Sequence, residues 1–197
     1  MLRFLNVQGK TVLDHGCGTG LLGAIAKKQG ASVQGIDISE TLVAIAQKDF
    51  PAQHADIHQL PFADSQFDVV LSMLVLHIVE DITTPLMEIH RVLKKGGMLI
   101  LGIVHPFSEK WDLKTHKPYQ DNSTYDKVEK RTWLFNLTDG TYATAEYYHR
   151  PLHDWLGQLL PIFDITEIRE PHLSEEYLKT GKYATHEYLF LRLSKKL

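Results

Sequence analysis

One cysteine, Cys17, in 197 residues excludes any intramolecular disulfide, so packing alone has to hold the fold together. The chain also lacks a long apolar run. Its longest apolar-rich stretch, Val69 to Val79, is interrupted by Ser72 and His77 and falls well short of the roughly 18 apolar residues of a membrane-spanning helix. No basic stripe is present either: 21 Lys and Arg against 24 Asp and Glu leave a formal charge of −3. No basic block exceeds Lys94-Lys95 or Lys195-Lys196, which argues against a nucleic-acid groove. The opening Met1-Leu2-Arg3-Phe4-Leu5-Asn6 has no apolar stretch of signal-peptide length, so a cytoplasmic protein acting on something small is expected. What the chain does have, 44% hydrophobic and 23% charged residues, suits one domain over 1–197 that buries about 70% of its unfolded surface without a metal or disulfide.

From Thr11 to Val104, short β-branched runs alternate with segments of helical period, the pattern of a parallel sheet with crossover helices. Strands are expected at Thr11–His15, Ser32–Asp37, Gln53–Asp56, Phe67–Met73 and Met98–Val104. Between them Leu22, Ile25 and Ala26, then Leu42, Ile45 and Ala46, then Leu86, Ile89 and Leu93 recur at helical steps. Ser39 and Thr84 suit helix N-caps, Pro85 a first helical position, and Gly30 and Gly96 left-handed stops. At His105-Pro106 the pattern changes to a polar, aromatic-rich insertion over about 105–150. Within it, Trp133–Leu137, Asp139-Gly140 and Thr141–Tyr148 predict a hairpin. A helix through Leu152, Leu156, Leu159 and Leu160 and strands at Ile162–Arg169 and Glu187–Leu193 complete the segment 151–197.

Val12-Leu13-Asp14-His15-Gly16-Cys17-Gly18-Thr19-Gly20 puts three glycines where the first strand meets the first helix. Glycine there lets backbone approach a ligand closely. Gly18, Gly20 and Gly23 match the dinucleotide spacing, and Asp37 after the second strand suits a ribose in either reading. Asp14, just ahead of the loop, would repel a pyrophosphate, whereas S-adenosylmethionine brings a sulfonium and an ammonium instead.

With Gly35-Ile36-Asp37-Ile38-Ser39, Ala55-Asp56, Leu60-Pro61-Phe62, Phe67-Asp68-Val69-Val70, Leu76-His77-Ile78-Val79-Glu80-Asp81 and Arg91-Val92-Leu93-Lys94-Lys95-Gly96-Gly97, the chain resembles the class I S-adenosylmethionine-dependent methyltransferases. The likeness is closest to the small-molecule branch labelled methyltransferase type 11 and covers 11–104 continuously. It implies an α/β, doubly wound, seven-stranded mixed sheet of order 3-2-1-4-5-7-6, with a β-rich insertion after the fifth strand. It also implies S-adenosylmethionine as cofactor. Gly16, Cys17 and Gly18, with Gly20 closing the turn, resemble the loop under the methionine part of the cofactor, and Asp14 resembles the acid bracing it. Asp37 resembles the acceptor of the two ribose hydroxyls, with Ile38 against adenine. Asp56 resembles the acceptor for the adenine amino group beside the Ile57 amide. Ser72 and Met73 stand where carbonyls take the methionine ammonium.

Methyl transfer from a sulfonium is an in-line displacement, so alignment and exclusion of water matter most. A base matters when the acceptor is a hydroxyl or a protonated amine, and histidine suits that task. Of 11 histidines, His77 after the fourth strand and His105 after the fifth open toward the acceptor position and are the catalytic candidates. Tyr147, His149 and Arg150 are the substrate-side candidates. Trp111, Tyr119, Tyr125, Trp133, Tyr142 and Tyr148 could wall off a planar or apolar small molecule, or simply pack the hairpin. His54-x-x-x-His58 and His149-x-x-x-His153 have helical metal spacing, but the first spans a strand end, and no metal is expected.

Relatives carry one or two helices ahead of the first strand, folded over the cofactor, and only about ten residues precede Thr11 here. This departure makes a homodimer a candidate and leaves two alternatives beside the methyltransferase. One is a catalytically idle, truncated binding protein; the other is a nicotinamide-dependent oxidoreductase.

Overall fold

A computed structural model describes residues 6–107, 111–112, 117–118, 125–136, 142–171 and 188–196. In chain order the elements are β1 (Thr11–His15), α1 (Leu21–Lys28), β2 (Ser32–Asp37), α2 (Glu40–Ala46), β3 (Ala52–His54), β4 (Phe67–Met73), a 3-10 turn (Leu76–Ile78), α3 (Thr83–Val92) and β5 (Leu93–Val104). After them come β6 (Glu129–Asn136), β7 (Tyr142–His149), α4 (Leu152–Leu159), β8 (Phe163–Arg169) and β9 (Tyr188–Lys195). A two-residue bridge also pairs Trp111–Asp112 with Lys117–Pro118.

Seven strands form one sheet of order β3-β2-β1-β4-β5-β9-β8. β1 to β5 are parallel, and β9 runs antiparallel to both β5 and β8. The hairpin β6–β7 is a separate sheet. Without it, the seven sheet strands follow the expected order 3-2-1-4-5-7-6.

The two faces of the sheet explain why the central strands are mostly apolar. Val12 of β1 and Val69 and Leu71 of β4 join Ala26 of α1, Ala46 of α2 and Phe50 in one cluster. The alternate residues Leu13 and Val70 join Leu86 and Ile89 of α3 and Trp155 and Leu159 of α4 in the other. Neighbouring residues of a strand face opposite layers, so a strand covered on both sides needs apolar side chains at nearly every position.

Several local expectations change. Ser39 caps α2 by accepting from the Leu42 N–H at 3.4 Å. Thr84 does not cap α3: the Asp81 carboxylate accepts from the Thr83 and Thr84 amides at 2.8 and 3.4 Å. The carboxylate is the stronger acceptor, and Pro85 becomes the third helical residue. Leu93 is not on the helix face but opens β5, pairing with Phe67 before a bulge whose Gly96 has φ +72°. On α2 it is Val43, with Ala46, that is buried, while Ile45 is 39% exposed. β3 is short, ending at His54, and Asp56 lies in the turn beyond it. The hairpin starts at Glu129, ahead of the expected Trp133; its expected Asp139-Gly140 tip lies outside the described residues, as does Tyr119. Among the described residues, no helix is long and apolar enough to cross a membrane.

Candidate active site

The carboxyl ends of β1, β2 and β4 open onto one edge of the sheet, where open α/β folds bind their ligands. The glycine loop begins with Cys17 N–H donating to the Ile36 carbonyl at 2.7 Å and closes with Gly20 N–H to the Cys17 carbonyl at 2.9 Å. Gly16 needs its φ of +69° and its missing side chain, because a Cβ would lie 2.4 Å from Val75. Gly18, at φ +54°, is different: a Cβ there would meet nothing within 4 Å. The loop is thus packed from below and open above, a surface over which a ligand can lie against backbone.

Asp14 lies beneath this loop, buried, with Oδ2 accepting from the Gly23 N–H at 2.9 Å. Burial raises its pKa to about 6, opposed by the Gly23 bond and helped by the charge of Asp37. Gly23 is required by that contact, since a Cβ would lie 2.3 Å from the Phe50 ring and 2.9 Å from the carboxylate. Cys17 is buried too. Its thiol is pushed up to about 12, first by burial and then by Asp14 and Asp37, which leaves it unreactive.

Asp37 has both oxygens tied by backbone: Oδ2 accepts from Gly18 N–H at 2.8 Å and Oδ1 from Ser39 N–H at 2.9 Å. A carboxylate offers about four lone-pair sites, so each oxygen keeps capacity for a second donor, as a vicinal diol supplies. Ile38 beside it is 63% exposed, an apolar side chain with nothing covering it. Ala55 N–H donates to the Asp37 carbonyl at 3.1 Å, which brings Asp56 and the buried Ile57 to the same edge. Asp56 Oδ1 accepts from the amide and the ring Nδ1–H of His58 at 2.9 and 2.7 Å, and these bonds hold its pKa down. Ser72 is fully buried with its hydroxyl 3.1 Å from His15 Nδ1, and Met73 is half-buried at the strand end. Open backbone over Gly18, a doubly braced acid and a bare isoleucine fit a ribose, an adenine and an amino-acid tail. A pyrophosphate does not fit as well, because the Asp14 carboxylate lies beneath the loop that would carry it.

The acceptor side is built from side chains far apart in sequence. His77, in the 3-10 turn, is 7% exposed, and its ring stands edge-on to Tyr147 of β7 with centroids 6.3 Å apart. Burial lowers its pKa to about 4, so the ring is neutral at neutral pH, and Nδ1 is buried without a hydrogen-bond partner among the described residues. His105 is differently placed. Its Nδ1 accepts from the Phe107 N–H at 3.1 Å, so Nε2 carries the proton and donates to Glu170 at 2.7 Å. With both nitrogens engaged, it anchors Phe107, which stacks on Tyr125 at 4.8 Å. His149 donates from Nε2 to the Tyr125 carbonyl at 2.9 Å, and Arg150, 5% exposed, binds Asp154 at 3.1 Å and donates to the Glu80 carbonyl. Tyr148 reaches the Glu80 carboxylate at 3.4 Å.

His77 and Tyr147 therefore come together, His149 and Arg150 tie the hairpin down, and His105 stands apart against β8. The sequence offered no sign of His15, whose Nε2 is buried and unpartnered among the described residues, because an apolar-strand position does not announce a histidine's partner. The roles of Glu80, Glu170 and His58 were equally hidden. Of His54 and His58, the metal-spaced pair, the first lies 3.8 Å from Glu40 and the second binds Asp56.

Residues 13–101 match the family described as "Methyltransferase domain". The chain is 30% identical over 183 residues to a ubiquinone biosynthesis O-methyltransferase from Coxiella burnetii, with 88% of this chain and 73% of that protein covered. It is 39% identical over 90 residues to a malonyl-[acyl-carrier protein] O-methyltransferase from Pseudescherichia vulneris, but this spans only 44% of the chain and 36% of that relative. A candidate S-adenosylmethionine-dependent methyltransferase from Listeria monocytogenes has a similar structure, with TM-score 0.80, 25% identity and coverage of 98% of this chain and 94% of that one. Sheet order, loop geometry and these relatives agree, and the chain belongs to the class I S-adenosylmethionine-dependent methyltransferases.

Proposed function

We propose that this protein transfers a methyl group to an oxygen of a small-molecule acceptor bound between the 3-10 turn and the hairpin. The observation that carries the cofactor half of this reading is Asp37, held by the Gly18 and Ser39 amides with a lone pair free on each oxygen. S-adenosylmethionine, when bound, supplies an electrophilic methyl carbon on its sulfonium. Asp37 would take the ribose hydroxyls, Ile38 and Ile57 the faces of adenine, and Asp56 its amino group. Gly16, Cys17, Gly18 and Gly20 would carry the methionine part, with the Ser72 and Met73 carbonyls on its ammonium and Asp14 bracing from below.

On the other side His77, neutral and packed against Tyr147, is the residue suited to accept a hydrogen bond from an acceptor hydroxyl at a ring nitrogen and orient it, and its lowered pKa makes it a weak base for the proton itself. Arg150 and His149 hold the hairpin that closes the acceptor's side, and His105 orients Phe107 rather than accepting a proton, its Nδ1 lone pair being occupied. The aromatic rings of Tyr147, Phe107 and Tyr125 offer apolar surface against which an acceptor could pack, favouring displacement over hydrolysis where it excludes water. Support for oxygen as the accepting atom comes from the two relatives, both named O-methyltransferases, and from a neutral imidazole at the right edge of the sheet.

The test is calorimetric titration with S-adenosylmethionine, S-adenosylhomocysteine and NAD, followed by transfer of radiolabelled methyl to a panel of phenols, carboxylic acids and amines. Micromolar binding of the first two ligands, and label on an oxygen acceptor, are the expected results. Label confined to amines would overturn the choice of oxygen, and tight cofactor binding with no transfer across the panel would favour a purely binding role.

A further inference from the structure

Asp37 and Asp56 stand at neighbouring strand ends yet are held in opposite ways. Asp37 is fixed by amides from two different segments, one on each oxygen. Asp56 is half-exposed, with its side chain 59% open to solvent, and a carboxylate so placed would rotate freely about χ1 and χ2 unless something held it. Every bond to it among the described residues falls on one oxygen, Oδ1, from the amide and the ring of the same residue, His58. The backbone bond at 2.9 Å closes an ordinary Asx turn and by itself leaves the carboxylate plane free to twist. The ring bond at 2.7 Å is charge-assisted and adds a second direction, fixing the plane. Oδ2 is then the oxygen left for a ligand.

We propose that His58 is a positioning residue for cofactor recognition: by pinning Asp56 Oδ1 through ring Nδ1–H, it presents Oδ2 as an acceptor for the exocyclic amino group of adenine, and so sets selectivity for adenine over a 6-oxo purine. This rests on the reading of Asp56 as the adenine acceptor.

Nδ1 must carry a proton to donate to a carboxylate, and it does so both in the neutral Nδ1–H tautomer and in the imidazolium. The charged and titratable groups around the ring are Asp56 itself, Asp81 and the buried His15, all within electrostatic reach of His58. A hypoxanthine base offers a carbonyl where adenine has its amino group, and a carbonyl facing Oδ2 sets two acceptors against each other. A fixed Oδ2 rejects it; a mobile one turns away and tolerates it.

The experiment is calorimetric titration of the whole chain with S-adenosylhomocysteine and S-inosylhomocysteine, which differ at purine C6 and, through the lactam hydrogen, at N1; Asp56→Ala in both titrations separates the C6 contribution from that of N1. Wild type is expected to prefer the adenine compound by about tenfold or more, the value of one charge-assisted hydrogen bond. His58→Ala is expected to lose most of that preference, weakening the adenine compound while the inosine compound binds equally well or better. His58→Asn, which keeps an N–H donor on the γ carbon, is expected to restore it. The ring is partly exposed, and His58→Leu serves as a second removal of the donor if the alanine variant is poorly folded.

Equal weakening of both ligands in His58→Ala would mean a general structural role and overturn the proposal. So would an unchanged preference in His58→Ala when Asp56→Ala abolishes it, because Asp56 would then act unaided. A wild type without preference, or an Asp56→Ala variant that retains it, would instead remove the reading of Asp56 on which the proposal stands.

Discussion

The cofactor end and the acceptor side are held together by different means. At the cofactor end every acid is gripped by a nearby amide: Asp37 by Gly18 and Ser39, Asp56 by His58, Asp14 by Gly23. On the acceptor side the ties run from side chains to groups distant in sequence, side chain or backbone. Arg150 reaches Glu80 across 70 positions, His105 reaches Glu170 across 65, and the Tyr147 ring leans on His77. Among the described residues, His77 Nδ1 and Arg150 Nε are buried there without partners, as is His15 Nε2 at the cofactor end. Backbone amides are available whatever the side chains are, so a site built on them suits a ligand that never changes. A site built on side chains can be rewritten by substitution, and buried groups left unpaired there cost stability that a bound acceptor can restore.

If the two regions are separable, substitutions in one should leave the other intact. The largest expected effect is that of Trp155→Ala in α4. Removing this fully buried ring beneath the acceptor side should cost about 3–5 kcal/mol in urea unfolding, with S-adenosylhomocysteine affinity of the folded protein unchanged. Next, Asp37→Ala should weaken that affinity by about 100-fold, through two lost charge-assisted bonds. Unchanged affinity would remove Asp37 from the cofactor site.

Third comes pH. His77 and His15 both have pKa values lowered to about 4 by burial, below the unfolded value of about 6.5. Their stabilisation is therefore complete above pH 6.5 and is lost as pH falls toward 4, by roughly 3 kcal/mol per group at the acid end. Asp14 runs the other way. Its pKa is raised to about 6 from 3.8, so its contribution is full below 3.8 and is lost as pH rises through 6. Urea midpoints across pH 4.5 to 7.5 should show less acid destabilisation in His77→Asn than in wild type; identical profiles would mean that this ring is not desolvated. Smaller still, Arg150→Lys should loosen β6–β7, raising amide exchange in the hairpin severalfold while cofactor affinity moves by less than about twofold. A drop in cofactor affinity would join the regions into one unit.

How far each region was legible in the sequence follows from the same contrast. β1, β2 and β4 occupy the expected residues, β1 and β4 because strands buried on both faces are mostly apolar, a pattern that is local. The glycine loop was legible because Gly16, Gly18 and Gly20 take positive φ that other residues resist. Thr84 and Leu93 misled because each is locally plausible, while the outcome depended on competitors: the Asp81 carboxylate for the helix start, and the Phe67 backbone for the strand. For the same reason His77 and His105 read alike in sequence, both being histidines just beyond a parallel strand.

By itself, then, the sequence determined the layered sheet, the loop and the acids beside it, since these depend on periodicity and on backbone conformations that few residues accept. Tertiary structure alone decided that His105 has both nitrogens engaged while His77 keeps one unpartnered among the described residues, that Arg150 clasps Glu80, and that His58 steadies Asp56. Those are properties of partners, and a partner's position in space is set by packing rather than by the order of residues along the chain.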